Sequence, residues 1–204
     1  RYKRFFVDVQ INDKLVTAHC PNTGSMSGLL KKGNKVWLTK STNPSRKLKY
    51  TLQIIKVKRS KVGVNTHLTN KIVFHALKNN LIKEFKNSIH IKPEVKFGEN
   101  TRFDFLVHNK NYKAFVEVKN VTLMRKSKIA EFPDAVTKRG AKHIKELVKA
   151  SKRGYKVFIF FIIQREDCDL FKVATDIDPE YSELISKAVK KKLKILCYDC
   201  KFSL

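Results

Sequence analysis

Lys113-Ala114-Phe115-Val116-Glu117-Val118-Lys119-Asn120-Val121 has strand composition, and within it Glu117 and Lys119 stand two residues apart. Successive side chains of a strand leave opposite faces of its sheet, so Glu117 and Lys119 share one face and Val116 and Val118 the other. Upstream, Arg102-Phe103-Asp104-Phe105 reads as the preceding strand, joined to the first by a polar turn at residues 108–111 as a hairpin. In a regular pleat Phe103 and Phe105 bury one face and Asp104 takes the other, and cross-strand pairing brings Asp104 to Glu117.

Two carboxylates that close repel each other unless a cation lies between them, and Mg²⁺ suits a site with few carboxylates and several retained waters. The expected metal ligands are Asp104, Glu117 and the backbone carbonyl of Val118, with Mg²⁺ or Mn²⁺ as cofactor. Asp104, Glu117 and Lys119 then form the expected catalytic set for phosphodiester hydrolysis. The metal would activate water and polarise a phosphoryl oxygen, while Lys119 positions that water or offsets phosphate charge. An ordinary ion pair on a solvated sheet also has the Glu-x-Lys pattern; the joint presence of spacing, strand context and Asp104 favours chemistry. Glu94 is a supporting candidate. Gln164, directly after the apolar run Val157 to Ile163, either meets substrate or caps the sheet.

Around this hairpin the C-terminal part reads as helix, three strands, helix, strand, helix, strand. The first helix follows cap candidates Thr69 and Asn70, with Ile72, Val73, Ala76, Leu77 and Leu81 at helical spacing. The strands are 89–97, 102–107 and 113–121; a helix spans about 134–152, stopped by Gly154; Val157 to Ile163 is a strand covered on both faces; Asp178-Pro179 opens the last helix, and 195–198 closes the sheet. Before about Thr66 the pattern is five short apolar runs broken by turn clusters, which fits a small OB-like barrel. The predicted fold class is α/β: an N-terminal small β-barrel (OB-like, 1–66) plus a C-terminal α/β nuclease-like domain (67–204) with a mixed central sheet.

The chain carries 44 basic and 18 acidic residues, a formal net charge of +26. A surface potential of that sign attracts polyanions, and the charge is spread through folded-looking segments with no separate basic tail, so DNA is the expected partner. On the helix after the hairpin Lys138, Arg139, Lys142, Lys145 and Lys149, continued by Lys152, form the expected nucleic-acid-binding face. No stretch has the length and apolarity of a membrane span, and the four cysteines are too scattered for a secreted disulfide scaffold, so a cytoplasmic setting without a membrane partner is expected. Cys197-Tyr198-Asp199-Cys200 is half of a zinc site, with Cys168 a conceivable third ligand, and a second CxxC is missing.

Several stretches together resemble the SfsA family of sugar fermentation stimulation proteins: residues 19–26 (His-Cys-Pro-Asn-Thr-Gly-Ser-Met), 63–67 (Gly-Val-Asn-Thr-His), 102–105, 116–123 and 132–137 (Phe-Pro-Asp-Ala-Val-Thr). The resemblance implies an OB-like first domain, a second domain of the PD-(D/E)xK nuclease superfamily and DNA binding. It carries metal-ligand roles onto Asp104 and Glu117 and the lysine role onto Lys119, with Phe103 standing where the motif's name has proline. The expected function is DNA binding with Mg²⁺-dependent phosphodiesterase activity. The alternative is a non-catalytic DNA-binding regulator of sugar-metabolism genes that keeps the nuclease fold. The turn Asn22 to Met26 either forms a backbone nest for an anion or simply makes a tight turn.

Overall fold

The computed structural model describes residues 1–203. In the N-terminal part, strands β1 (Phe6–Ile11), β2 (Lys14–His19), β3 (Val36–Lys40), β4 (Tyr50–Val57) and β5 (Ser60–Gly63) pair in the order β1-β2-β4-β3, with β5 also against β4. Among the described residues no ladder returns from β3 or β5 to β1, so the sheet is the partly open kind of barrel that an OB fold makes. Its inward side chains Cys20, Met26, Leu29, Leu52, Ile55, Val62 and Val64 form a core of their own.

Helix α1 (Thr66–Lys78) follows directly. Its cap is Asn65, whose side chain accepts from His67 N–H, so the helix starts ahead of Thr69 and Asn70. Those two residues are therefore helical and project from its first turns. After one 3₁₀ turn at Lys83–Phe85 come β6 (His90–Phe97), β7 (Thr101–Asn109) and β8 (Tyr112–Val121), then β9 (Lys128–Phe132), α2 (Lys138–Lys152), β10 (Lys156–Ile163), β11 (Cys168–Val173), α3 (Pro179–Lys190) and β12 (Leu193–Asp199).

The central sheet runs β12-β10-β8-β7-β6, parallel across β12, β10 and β8 and antiparallel across β8, β7 and β6. It is the mixed sheet expected, covered on both faces. Phe115, Val121, Ile159 and Phe161 join Ile144 and Leu147 of α2 and Ile185 of α3 in one cluster, while Val116, Val118, Phe158 and Phe160 join Val73 and Leu77 of α1 in another. The strands β9 and β11, not among the elements expected from sequence, pair in parallel as a separate two-stranded sheet. Helix α2 begins four residues later than expected, with Thr137 as its cap accepting from Gly140 N–H, because Asp134 is held beside Gly24 at the other half of the chain.

The two halves are joined through backbone. Gly63 N–H donates to Gln164 C=O at 2.9 Å, Val62 bridges Arg165, and Lys61 N–H donates to Glu166 Oε2 at 3.0 Å. A Cβ on Gly63 would stand 2.5 Å from Gln164 Oε1 and 3.1 Å from the Phe202 ring, so any larger residue forces that side-chain amide to shift.

Candidate metal centre

The β7–β8 ladder runs from Asn109↔Tyr112 to Phe105↔Val116 and ends there. Beyond it Val118 N–H donates to the side chain of Asp104, at Oδ2 and 2.7 Å, so a carboxylate takes the place a strand carbonyl would otherwise hold. On the other side β6 pairs with β7 at Pro93↔Phe105 and Val95↔Phe103 but not between them, where Glu94 has φ of +52°. The pleat is interrupted at Asp104, which corrects the regular alternation read from sequence. Phe103 packs on the α2 side of the sheet and Phe105 on the α1 side, and Asp104 lies in the gap between the splayed strands.

Asn70 of α1 donates its Nδ2 to Asp104 Oδ1 at 2.7 Å, completing a cradle for this carboxylate. Burial, and next the repulsion of Glu117, nevertheless push its pKa from 3.8 up to about 6, against the opposing pull of Val118 N–H, Asn70 and Lys119.

Glu117 is 3% exposed, on the α2 face of β8. Its Oε1 accepts from Lys119 Nζ at 2.6 Å and from His143 Nδ1 of α2. Burial alone would raise its pKa, but Lys119 and His143 outweigh that and hold it below the usual carboxylate range. Its Oε2 is buried with no hydrogen-bond partner. A buried anionic oxygen left unpaired is costly, and Glu117 Oε2 is thereby free to ligate a hard cation. Among the described residues no three His, Cys, Asp or Glu side chains gather as a metal cluster, so any ion here relies on two carboxylates plus neutral oxygens, the donor set Mg²⁺ tolerates. Val118 C=O projects from the same edge of β8 as its N–H, toward the Asp104 gap.

The other expected residues sort differently. Glu94 is exposed and makes no hydrogen bond to Asp104 or Glu117. Gln164 caps the sheet: its Nε2 donates to Asn120 Oδ1 at 2.6 Å and Thr69 Oγ1 at 3.1 Å, and it touches neither carboxylate. On α2, Arg139 and Lys142 line a cleft of about 370 Å³ beside His143, together with Lys96 and Arg102. Lys138 is exposed outside that cleft, and Lys145 and Lys149 are turned to Glu180 and Glu146 at 3.3 and 2.7 Å. The basic surface at the site therefore comes from β6, β7 and α2 together. His143 and Asn70 were absent from the sequence expectation. Cys168 and Cys197 border one groove while Cys200 packs toward the α1 side, so the three thiols do not converge as a zinc site. Among the described residues no helix is long and apolar enough to cross a membrane.

Residues 1–64 match the family SfsA N-terminal OB domain, and residues 67–204 match the family Sugar fermentation stimulation protein RE domain. The sugar fermentation stimulation protein homolog of Pelagibacter ubique is 59% identical over 203 residues, covering 100% of this chain and 88% of the relative. That of Geotalea uraniireducens is 43% identical, covering 97% and 86%. The solved structure of Pyrococcus furiosus SfsA in complex with Ca²⁺ superimposes with a TM-score of 0.89 at 28% identity, covering 98% of this chain and 84% of that one. From its first strand to its last, this chain belongs to the SfsA family.

Proposed function

We propose that this protein is a divalent-metal-dependent phosphodiesterase acting on DNA, with Asp104 and Glu117 as side-chain metal ligands, Val118 C=O as a third ligand and Lys119 as the catalytic lysine. The observation that carries it is a half-buried and a fully buried carboxylate brought together on splayed strands, the first raised in pKa by burial and next by the second, and the second with an unpartnered oxygen. The related archaeal protein was solved in complex with Ca²⁺, another hard cation that takes oxygen ligands, which supports a divalent metal here.

A bound Mg²⁺ or Mn²⁺ supplies Lewis acidity at the phosphoryl oxygen and a low-pKa water. The chain's own part is positional and electrostatic. Asn70 and Val118 N–H fix Asp104 in the gap, and His143 fixes the Glu117 carboxylate from the helix behind it. Lys119, 2.6 Å from Glu117 Oε1, presents a positive charge where a scissile phosphate gains negative charge, and the Lys96, Arg102, Arg139 and Lys142 cleft holds flanking phosphates.

A second reading, a DNA-binding regulator without turnover, is favoured by Lys119 and His143 both engaging Glu117 Oε1, which offsets that carboxylate's charge without metal. Incubation of purified protein with supercoiled DNA and Mg²⁺, Mn²⁺ or EDTA separates the two. Metal-dependent nicking that Asp104→Ala abolishes while DNA affinity persists is the expected result. A wild type that never nicks with either metal overturns the enzyme reading.

A further inference from the structure

A second cleft, of about 380 Å³, lies where the two halves of the chain meet. Its walls include Asn22 from the first half, Thr66 at the start of α1, Asn120 and Thr122 at the end of β8, Phe132 at the end of β9, and Arg4 at its mouth. The volume falls in the range of ligand-binding clefts, about 300–1,000 Å³.

Its polar groups are built in. Asn22 is 4% exposed and Thr122 is 6% exposed, so these side chains are buried apart from what the cleft reaches. Asn22 Oδ1 accepts from Gly24 N–H at 2.9 Å, and among the described residues its Nδ2 has no partner. The Thr122 hydroxyl likewise has no partner among the described residues; only the backbone carbonyl of that residue is engaged, by Arg165. Asn120 spends its Oδ1 on Gln164, leaving its amide hydrogens for other use. None of these unpartnered donors is sealed inside the protein, and all three belong to side chains that line the same opening.

The position of the cleft relates it to the carboxylates. Asn120 follows Lys119 directly in β8, and Thr66 lies one helical turn before the Asn70 that holds Asp104. We infer that this cleft receives one unpaired nucleotide of a DNA strand whose backbone passes Asp104 and Glu117. The inference rests on the reading of those two residues as a phosphodiester site. Amides and hydroxyls, with the Asp134 carboxylate as a further acceptor, complement the donor and acceptor edge of a base, Phe132 and Pro133 give its faces an apolar wall, and Arg4 meets its phosphate at the rim. A base inside a duplex is stacked and paired, so only an unpaired one can enter.

The test is binding of a labelled short single strand and of a blunt duplex to the full chain in EDTA, so that turnover plays no part. Thr122→Val keeps shape and removes the hydroxyl; Asn22→Asp keeps the acceptor that holds Gly24 N–H and removes the amide donor. Each is expected to weaken single-strand binding roughly tenfold, the value of one lost hydrogen bond. Thr122→Val should leave duplex affinity and melting temperature unchanged, and Thr122→Ser should behave as wild type. Unchanged single-strand affinity in Thr122→Val and Asn22→Asp, equal weakening of single strand and duplex in Thr122→Val, or loss in Thr122→Ser equal to that in Thr122→Val overturns the inference. A wild type that binds in this way yet never cleaves overturns the phosphodiesterase reading alone.

Discussion

Asp104→Asn tests whether the two carboxylates are held together for a cation. A folded-state pKa of about 6 against 3.8 means that the fold prefers Asp104 protonated. The sign follows: below pH 3.8 the group is neutral in both states and costs nothing, the penalty grows as pH rises from there to about 6, and it is constant above. At about 1.36 kcal/mol per pKa unit the penalty reaches roughly 3 kcal/mol at pH 8. Asparagine removes the charge but can supply only one acceptor for the two donors, Asn70 Nδ2 and Val118 N–H, which returns about 1–2 kcal/mol. The net gain of about 1–2 kcal/mol corresponds to a melting temperature roughly 2–8 °C higher for a chain of this size. Thermal melts in EDTA at pH 8 and pH 4 should show the gain at pH 8 only. Mg²⁺ at a hundred times its Kd should raise wild-type stability by about 2.7 kcal/mol and leave Asp104→Asn unmoved. An Asp104→Asn protein that melts below wild type in EDTA at pH 8, with a wild type indifferent to Mg²⁺, refutes the reasoning.

Lys96→Ala, Arg102→Ala and Arg139→Ala should each reduce the salt slope of duplex binding by about 1, read from affinity across a salt series, whereas Lys145→Ala and Lys149→Ala, whose charges already meet Glu180 and Glu146, should not. Gly63→Ala puts a methyl group 2.5 Å from Gln164 Oε1 and 3.1 Å from Phe202, so denaturant melts should show a loss of about 1–3 kcal/mol. Tyr181→Phe removes a buried hydroxyl that has no partner, and should leave the protein as stable or up to about 1–3 kcal/mol more stable; a loss above about 1 kcal/mol would show that the hydroxyl is bonded after all.

The strand carrying Glu117 and Lys119 was legible because its period of two is a local property, and so was the neighbouring strand that supplies Asp104. The buried run of β10 and the capped start of α3 were legible for the same reason: length and cap chemistry declare themselves within a few residues. His143 and Asn70 were not. Each sits on a helix, and which helical residue meets the sheet at Asp104 or Glu117 depends on how that helix is laid across it, a tertiary quantity that amphipathic pattern fixes only to a broad face. The pairing of β9 with β11 was hidden because the partners lie far apart in the chain and both strands are short. Lys145 and Lys149 looked equivalent to Arg139 and Lys142 as basic residues of one helix; the Glu146 that meets Lys149 was legible three residues before it, whereas the Glu180 that meets Lys145 comes from another helix.

The departures from local regularity fall at one place. Most non-glycine residues with positive φ sit in turns, as at Asn12, Asp13 and Lys58, where such angles cost little. Glu94 is different, since it lies inside β6, directly opposite Asp104. There the β6–β7 pairing skips a residue, the β7–β8 ladder stops, Phe103 and Phe105 part to opposite faces, and a carboxylate replaces a backbone acceptor. Left to packing alone, a central strand would keep its ladder and its alternation, and a core position such as 117 would hold an apolar side chain. Strain of this kind persists only when the surrounding structure over-determines it, and here two cores, one on each face of the sheet, clamp the splayed strands. The interruption serves one geometric end: it turns Asp104 out of the pleat and into the plane of the sheet, level with the Val118 backbone and within electrostatic reach of Glu117. A regular hairpin with the same register would set Asp104 opposite Glu117 on one face and out of reach of the Val118 backbone. The local breakdown of the sheet is therefore what makes the proposed site.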